Sequence, residues 1–153
     1  MFNNLNRIGY VFLNVFFPVF LGGIIYILFR DKDILLFEWF NYLGLSHYVL
    51  EIRSFFNPED IVISNFLTYN LPDGLWVYSF TSCMLLIWVR NNSIHKNTYI
   101  IVPILLSLLS ELGQLFNFIG GTFDFLDLMF YLFFTYLANI NHKRISKCKK
   151  ENS

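Results

Sequence analysis

The sequence predicts an all-α integral membrane protein, with four transmembrane helices and short interfacial helices between the first and second. Three observations carry that prediction. Of the 153 residues, 56% are hydrophobic and 20% aromatic while 14% are charged, and mean hydropathy is +0.50, too apolar for an ordinary soluble domain. The apolar residues gather into four runs near the length a helix needs to cross hydrocarbon, about 20 residues. The basic residues fall before, between and after these runs.

The first run, 8–29, follows Arg7 and ends at the charged segment beginning with Arg30. It is longer than the core of a secretory signal, and no small-x-small cleavage site precedes Arg30, so it is expected to be retained as a span. Pro18 and the pair Gly22 and Gly23 predict a kink or a close approach by a neighbour. The connector, 30–71, mixes acidic residues with apolar clusters such as ILLFEWF and YVLEIRSFF, each too short to span. Helical spacing of those clusters predicts short amphipathic helices on the membrane face, a seal for the bundle or a lid over a site.

The second span is expected at 72–90, with Pro72 in its first turn and Asp73 at the positive end of the helix dipole. The NNSIHK loop after Arg90 leads to a third span at 99–119, and a fourth follows at 123–140. A basic tail, 141–153, closes a single four-span membrane domain. With the N-terminus inside, the inner segments hold Arg7, Arg90, Lys96, Lys143, Arg144, Lys147, Lys149 and Lys150, and the outer ones Arg30, Lys32 and Arg53. That asymmetry predicts N-terminus and C-terminus both cytoplasmic.

Several functions are excluded at this level. Zero formal net charge and the lack of a basic patch interleaved with aromatics argue against nucleic acid as a partner. Cys83 lies in an apolar run and Cys148 in the tail, so both are expected reduced. His47, His95 and His142 are scattered without ligand spacing, so no zinc signature exists, and the residues name no cofactor.

The stretch SELGQLFNFIGGTFDFLD, from Ser110 to Asp127, places ionisable groups within this apolar chain. Intramembrane carboxylates are costly and usually face a protein interior or a wet cavity. Ser107, Glu111, Gln114 and Phe118 share one helical face, and Asp124, Asp127, Tyr131 and Thr135 share another. A reversal at Gly120 and Gly121 is expected to make the two helices an antiparallel hairpin with their polar stripes opposed. Glu111 then lies about 12 Å inside the outer end of its span at 1.5 Å per residue, where it must be paired, hydrated or protonated. The candidate catalytic residues are Glu111 as general acid or base, Gln114 orienting it, and Asp127. Asp73, Asp124 and Tyr131 are the candidate ligand-binding residues, Asp73 and Asp124 being equally suited to stabilising helix starts. No metal ligand set is assigned.

These residues resemble the VanZ-like family of small bacterial membrane proteins, which includes a teicoplanin-resistance protein. The family carries a glutamate and glutamine three apart in one span and two aspartates three apart opening the next. Glu111 with Gln114, and Asp124 with Asp127, match that pattern over roughly the second half of the chain, and Asp73 corresponds to an aspartate opening an earlier helix. Gly74 and Val77 stand where the family commonly has lysine and histidine, Gly121 where it has arginine, and Tyr131 and Phe134 where it has asparagine and glycine. The resemblance implies a multi-pass protein of the bacterial cytoplasmic membrane whose outer-leaflet acidic site binds or acts on a lipid-linked or cell-envelope ligand. The alternative is a non-catalytic subunit whose basic tail recruits a membrane-protein partner or anionic lipid, each basic residue contributing on the order of 1 kcal/mol at an anionic surface.

Overall fold

The structure is a computed structural model that describes residues 4–30, 32, 35–56, 65–88, 95–120 and 122–148. Among them every regular element is helical. The loop expected after Arg90, Gly121 and the tail beyond 148 lie outside the described residues.

Helix α1 (Asn4–Val11) passes through a π-helical turn (Phe12–Phe16) into α2 (Phe17–Phe29). Pro18 explains the widened turn: it lacks an N–H, and its ring crowds the carbonyl four residues back, at Asn14. Phe17 N–H instead closes on Phe12 O, and the helix continues. The stretch Arg7–Phe29 is the one helix among the described residues long and apolar enough to cross a bilayer by length and composition. Of the glycine pair expected to admit a neighbour, Gly22 does so: a Cβ there would meet Trp76 Nε1 at 3.0 Å and Pro72 O at 3.3 Å, while Gly23 faces open space.

Two short helices occupy the connector, α3 (Leu35–Tyr42) and α4 (Ser46–Phe56). Gly44, at φ +69°, ends α3, with Leu45 N–H reaching back to Phe40 O at 2.8 Å. A left-handed residue closing the last carbonyls is the usual role of glycine there. Arg53, buried, donates to Ile27 O at 2.6 Å and lies over the Phe37 ring at 5.2 Å. It fastens α4 and α3 to the last turn of α2, where the helix dipole favours a cation.

The three long helices correct the expected boundaries. Helix α5 (Asn65–Trp88) begins well before residue 72, so Pro72 is inside the helix and Asp73 is not at its start. The helix holds through the proline because Asn70, just upstream, is anchored by side-chain bonds to α7, a tertiary constraint that overrides local preference. Helix α6 (His95–Leu115) stops short of 119 because Asn117 adopts φ +57° and Phe118 N–H turns back to Gly113 O. Phe118 therefore leaves the face it was expected to share with Glu111. Helix α7 (Phe125–Cys148) runs past 140 into the stretch expected as tail. It has no glycine or proline to stop it, and Asn139 and Asn141 are engaged by hydrogen bonds to Thr135 O and Asn14.

Helix α5 is the hub, packed on α2, α6 and α7, and α7 packs more extensively on α5 than on α6. The two run parallel: Asn70 meets Asp127 near their starts, and Tyr78 meets Asn141 farther along. Gly74 lets them close, since a Cβ there would stand 2.5 Å from the Phe134 ring. At the π-turn, Asn14 Oδ1 accepts from Tyr78 OH at 2.7 Å and Asn141 Nδ2 at 2.5 Å.

The distribution of polarity is inverted. Among the described residues, ten buried polar or charged side chains stand against eight buried hydrophobic ones. Large apolar side chains instead cover the outside, Phe12, Phe16 and Phe20 on the first rod and Leu109 on α6, Leu132 and Phe133 on α7 among them. Water would penalise that surface, whereas lipid tails are as apolar as the side chains themselves.

Candidate functional site

One end of the bundle gathers the end of α2, the first half of α5, the end of α6 and the start of α7. Between them lies a cavity of about 400 Å³. Asp73, Glu111, Gln114, Asp124 and Asp127 all line it, with Arg30, Asn70 and Trp76. Among the described residues neither α3 nor α4 contributes to the lining, while Arg30, Tyr69 and Asn70, at the two ends of the expected connector, do.

Glu111 is 2% exposed and is held at both oxygens. Its Oε1 accepts from Tyr131 OH at 3.0 Å, and its Oε2 from the backbone N–H of Asp124 at 3.3 Å. Because α6 ends at Leu115, Glu111 sits in the last turns, where the helix dipole disfavours negative charge. The carboxylate reaches across to the first N–H groups of α7, where the dipole has the opposite sign. Tyr131 takes the orienting role expected of Gln114, which lines the cavity without bonding Glu111; Tyr131 itself lies behind the glutamate, outside the cavity lining.

Asp124 caps α7, its Oδ1 accepting from Leu126 N–H at 2.8 Å. Its other oxygen accepts from Asn70 Nδ2 at 3.4 Å, and the same amide donates to Asp127 Oδ1 at 2.5 Å. One neutral amide thus holds two carboxylates. Asp73 is different: freed from the helix start that was expected to occupy it, it projects into the cavity within electrostatic reach of Asp127, Arg30 and Glu111. Arg30 is braced between aromatic rings, its guanidinium carbon 4.6 Å from the Tyr69 centroid and 5.2 Å from that of Tyr26.

The site therefore holds four carboxylates and one guanidinium, three of the carboxylates tethered by hydrogen bonds and Asp73 set among Asp127, Arg30 and Glu111. Among the described residues no three His, Cys, Asp or Glu side chains stand so as to hold a metal ion. The arrangement suits proton transfer and the binding of a polar group that presents hydrogen-bond donors. Asn70, Arg30 and Tyr69 were missed at the level of sequence, as was Trp76, which lines the cavity with its ring centroid 5.8 Å from that of Tyr26. The available signal for Asn70 and Trp76 was spacing, since both stand three residues from Asp73 on its helical face.

Asn70→Leu is expected to lower stability by about 1 to 2 kcal/mol, because it leaves two half-buried carboxylates without their shared donor. Asn70→Asp adds a third negative charge and is expected to cost more. Thermal unfolding of the purified protein in detergent checks both, and an unchanged midpoint for Asn70→Asp would remove this account of the amide.

No protein-family model, curated protein or solved structure matches the chain.

Proposed function

We propose that the chain is a multi-span protein of the bacterial cytoplasmic membrane, similar to the VanZ-like family, whose acidic cavity opens to the outer leaflet. There it binds the polar group of a lipid-linked or cell-envelope ligand. Proton transfer to or from that group is the chemistry it serves best, with Asp73 facing the ligand and Glu111 behind it. The carrying observation is the convergence of Asp73, Glu111, Asp124 and Asp127, from three helices, on one cavity at one end of an inverted bundle.

Membrane crossing by α5, α6 and α7 is supported by their length and their outward faces. At 1.5 Å per residue, 24 residues in α5 and α7 and 21 in α6 exceed the roughly 30 Å of hydrocarbon. Their polar residues turn inward, Ser79, Thr81, Thr135 and His142 all being buried. The family likeness gains support from a compensation. Where the family has lysine and glycine, this chain has Gly74 and Phe134, and the Phe134 ring occupies the space a side chain at 74 would need. Arg30 provides a cation to a site that lacks the family's basic partners.

The test is native mass spectrometry of the protein purified in mild detergent with bacterial membrane lipid, together with labelling of Asp124→Cys, in a chain lacking Cys83 and Cys148, from the outside of intact cells. Wild type is expected to retain a lipid adduct that Asp73→Asn and Glu111→Gln lose, and the cysteine to label from outside. Equal adducts in all three proteins, or labelling from the cytoplasmic side alone, would overturn the reading.

A further inference from the structure

We infer that the bundle interior is a proton path linking the acidic cavity to His142 near the opposite end. The inference rests on the reading that the bundle spans a bilayer, and it adds a second terminus to the site.

The path is written on one face of α7. Asp127, Tyr131, Thr135 and His142 follow one another at intervals of one or two turns, with Ala138 between the last two. Tyr131, Thr135, Ala138 and His142 are all buried, His142 at 4% exposure. The cavity end of this row is a hydrogen bond, Tyr131 OH to Glu111. From Tyr131 to His142 is about 16 Å along the helix at 1.5 Å per residue.

Helix α5, parallel to α7, carries two buried hydroxyls toward the same end of the bundle. Thr81 and Ser82 are both fully buried, and Ser82 adjoins the hydroxyl of Tyr10. Tyr10, from α1, stands edge-on to the His142 ring at 6.0 Å between centroids. Among the described residues, the titratable groups toward this end include Cys83 and Tyr78 of α5, both near Tyr10, Arg7 of α1, Tyr99 in the first turns of α6, and Lys143, which follows His142 on α7 and is exposed.

Structural glue is the competing explanation, and the hydroxyls themselves argue against it. A buried Ser or Thr serving only its helix commonly bonds the carbonyl one turn back, as Ser107 Oγ does to Pro103 O at 2.9 Å. Thr81 Oγ1 and Thr135 Oγ1 do not, and neither has a hydrogen-bond partner among the described residues. The one-turn step from Tyr131 to Thr135 is about 5 to 6 Å at Cβ, too far for a direct bond and the span of one bridging water, and the two-turn step from Thr135 past Ala138 to His142, about 10 Å, takes more than one. Water held by such hydroxyls is the ordinary way they are satisfied in an interior. A proton entering at His142 then moves by exchange along hydroxyls and water to Tyr131 and Glu111, each group receiving one proton and releasing one.

The experiment uses the full chain in sealed vesicles of phosphatidylethanolamine and phosphatidylglycerol, with a pH-sensitive dye inside and an inward-driving potassium diffusion potential. Wild type is expected to acidify the interior faster than protein-free vesicles. Thr135→Val, which keeps shape and removes the hydroxyl, is expected to lose that flux, Thr135→Ser to restore it, and Glu111→Gln to lose it. One-sided labelling of Asp124→Cys in the same vesicles reports insertion. Wild-type flux at the protein-free level with insertion intact, or flux unmoved by Thr135→Val, overturns the path and leaves the cavity standing. Failure of one-sided labelling overturns the spanning reading, and the path with it.

Discussion

Glu111→Ala is expected to loosen the cavity end of the bundle, with a stability loss of about 3 kcal/mol. The change removes the acceptor for Tyr131 OH, which is buried, and for the Asp124 N–H at the start of α7. The Tyr131 hydroxyl is left in an interior without its acceptor, and the Asp124 N–H is left at the half-buried edge of the cavity. An opposing effect exists, because removing one carboxylate relieves repulsion with Asp73 and Asp127. That relief is the smaller term: the cavity is open at one end, Arg30 already offsets part of the charge, and exposed charges are screened. Glu111→Gln keeps one acceptor and is expected to cost about 1 kcal/mol, roughly one hydrogen bond. Tyr131→Phe should cost about the same as Gln. The double variant, Glu111→Ala with Tyr131→Phe, should cost less than the sum, because both changes remove the same bond. Unfolding midpoints in detergent give all four values. Strict additivity would mean that the Tyr131 bond does not hold Glu111 in place.

The contrast between Glu111 and Asn70 shows what the sequence could disclose. Glu111, Asp124 and Asp127 stood out because ionisable residues are rare in apolar runs, and the chemistry of lipid makes each one conspicuous. Asn70 and Arg30 carry as much of the geometry and were hidden by context. Asn70 lay in a stretch assigned to the connector, because Pro72 imitates the first residue of a helix. Arg30 is a flanking charge, of a kind that reports topology more often than a site. Helix ends were misplaced for a related reason. Between Leu115 and Ile119 the apolar run is interrupted by Asn117 alone, and the left-handed backbone at that asparagine is where α6 turns off. Shared spacing placed Gln114 and Tyr131 on the faces that meet, yet it could not say which of them reaches Glu111. Reach depends on the register between helices, and α5, unseen as the hub, sets that register.

The register can be tested by exchanging the pair that fixes it. Gly74→Lys is expected to be strongly disruptive. A Cβ there would stand 2.5 and 2.7 Å from Phe134 ring carbons and 3.1 Å from Phe130, distances that side chains do not tolerate. Overpacking of a few atoms costs about 1 to 3 kcal/mol, and a lysine adds a stem and a charge to that. Phe134→Gly fails in the opposite way. It removes a ring that packs on Phe130 and Tyr78, for which aromatic truncation costs about 3 to 5 kcal/mol, and glycine in a helix adds about 1 more. Combined, the two changes cancel in space: the lysine stem fills the volume the ring leaves. The double variant should therefore be more stable than the sum of the singles predicts by about 2 to 3 kcal/mol, the size of coupling seen between residues in direct contact. Measured unfolding of the two singles and the double decides the matter. Coupling of that size would tie the glycine and the phenylalanine to one contact between α5 and α7, and its absence would mean the helices meet elsewhere.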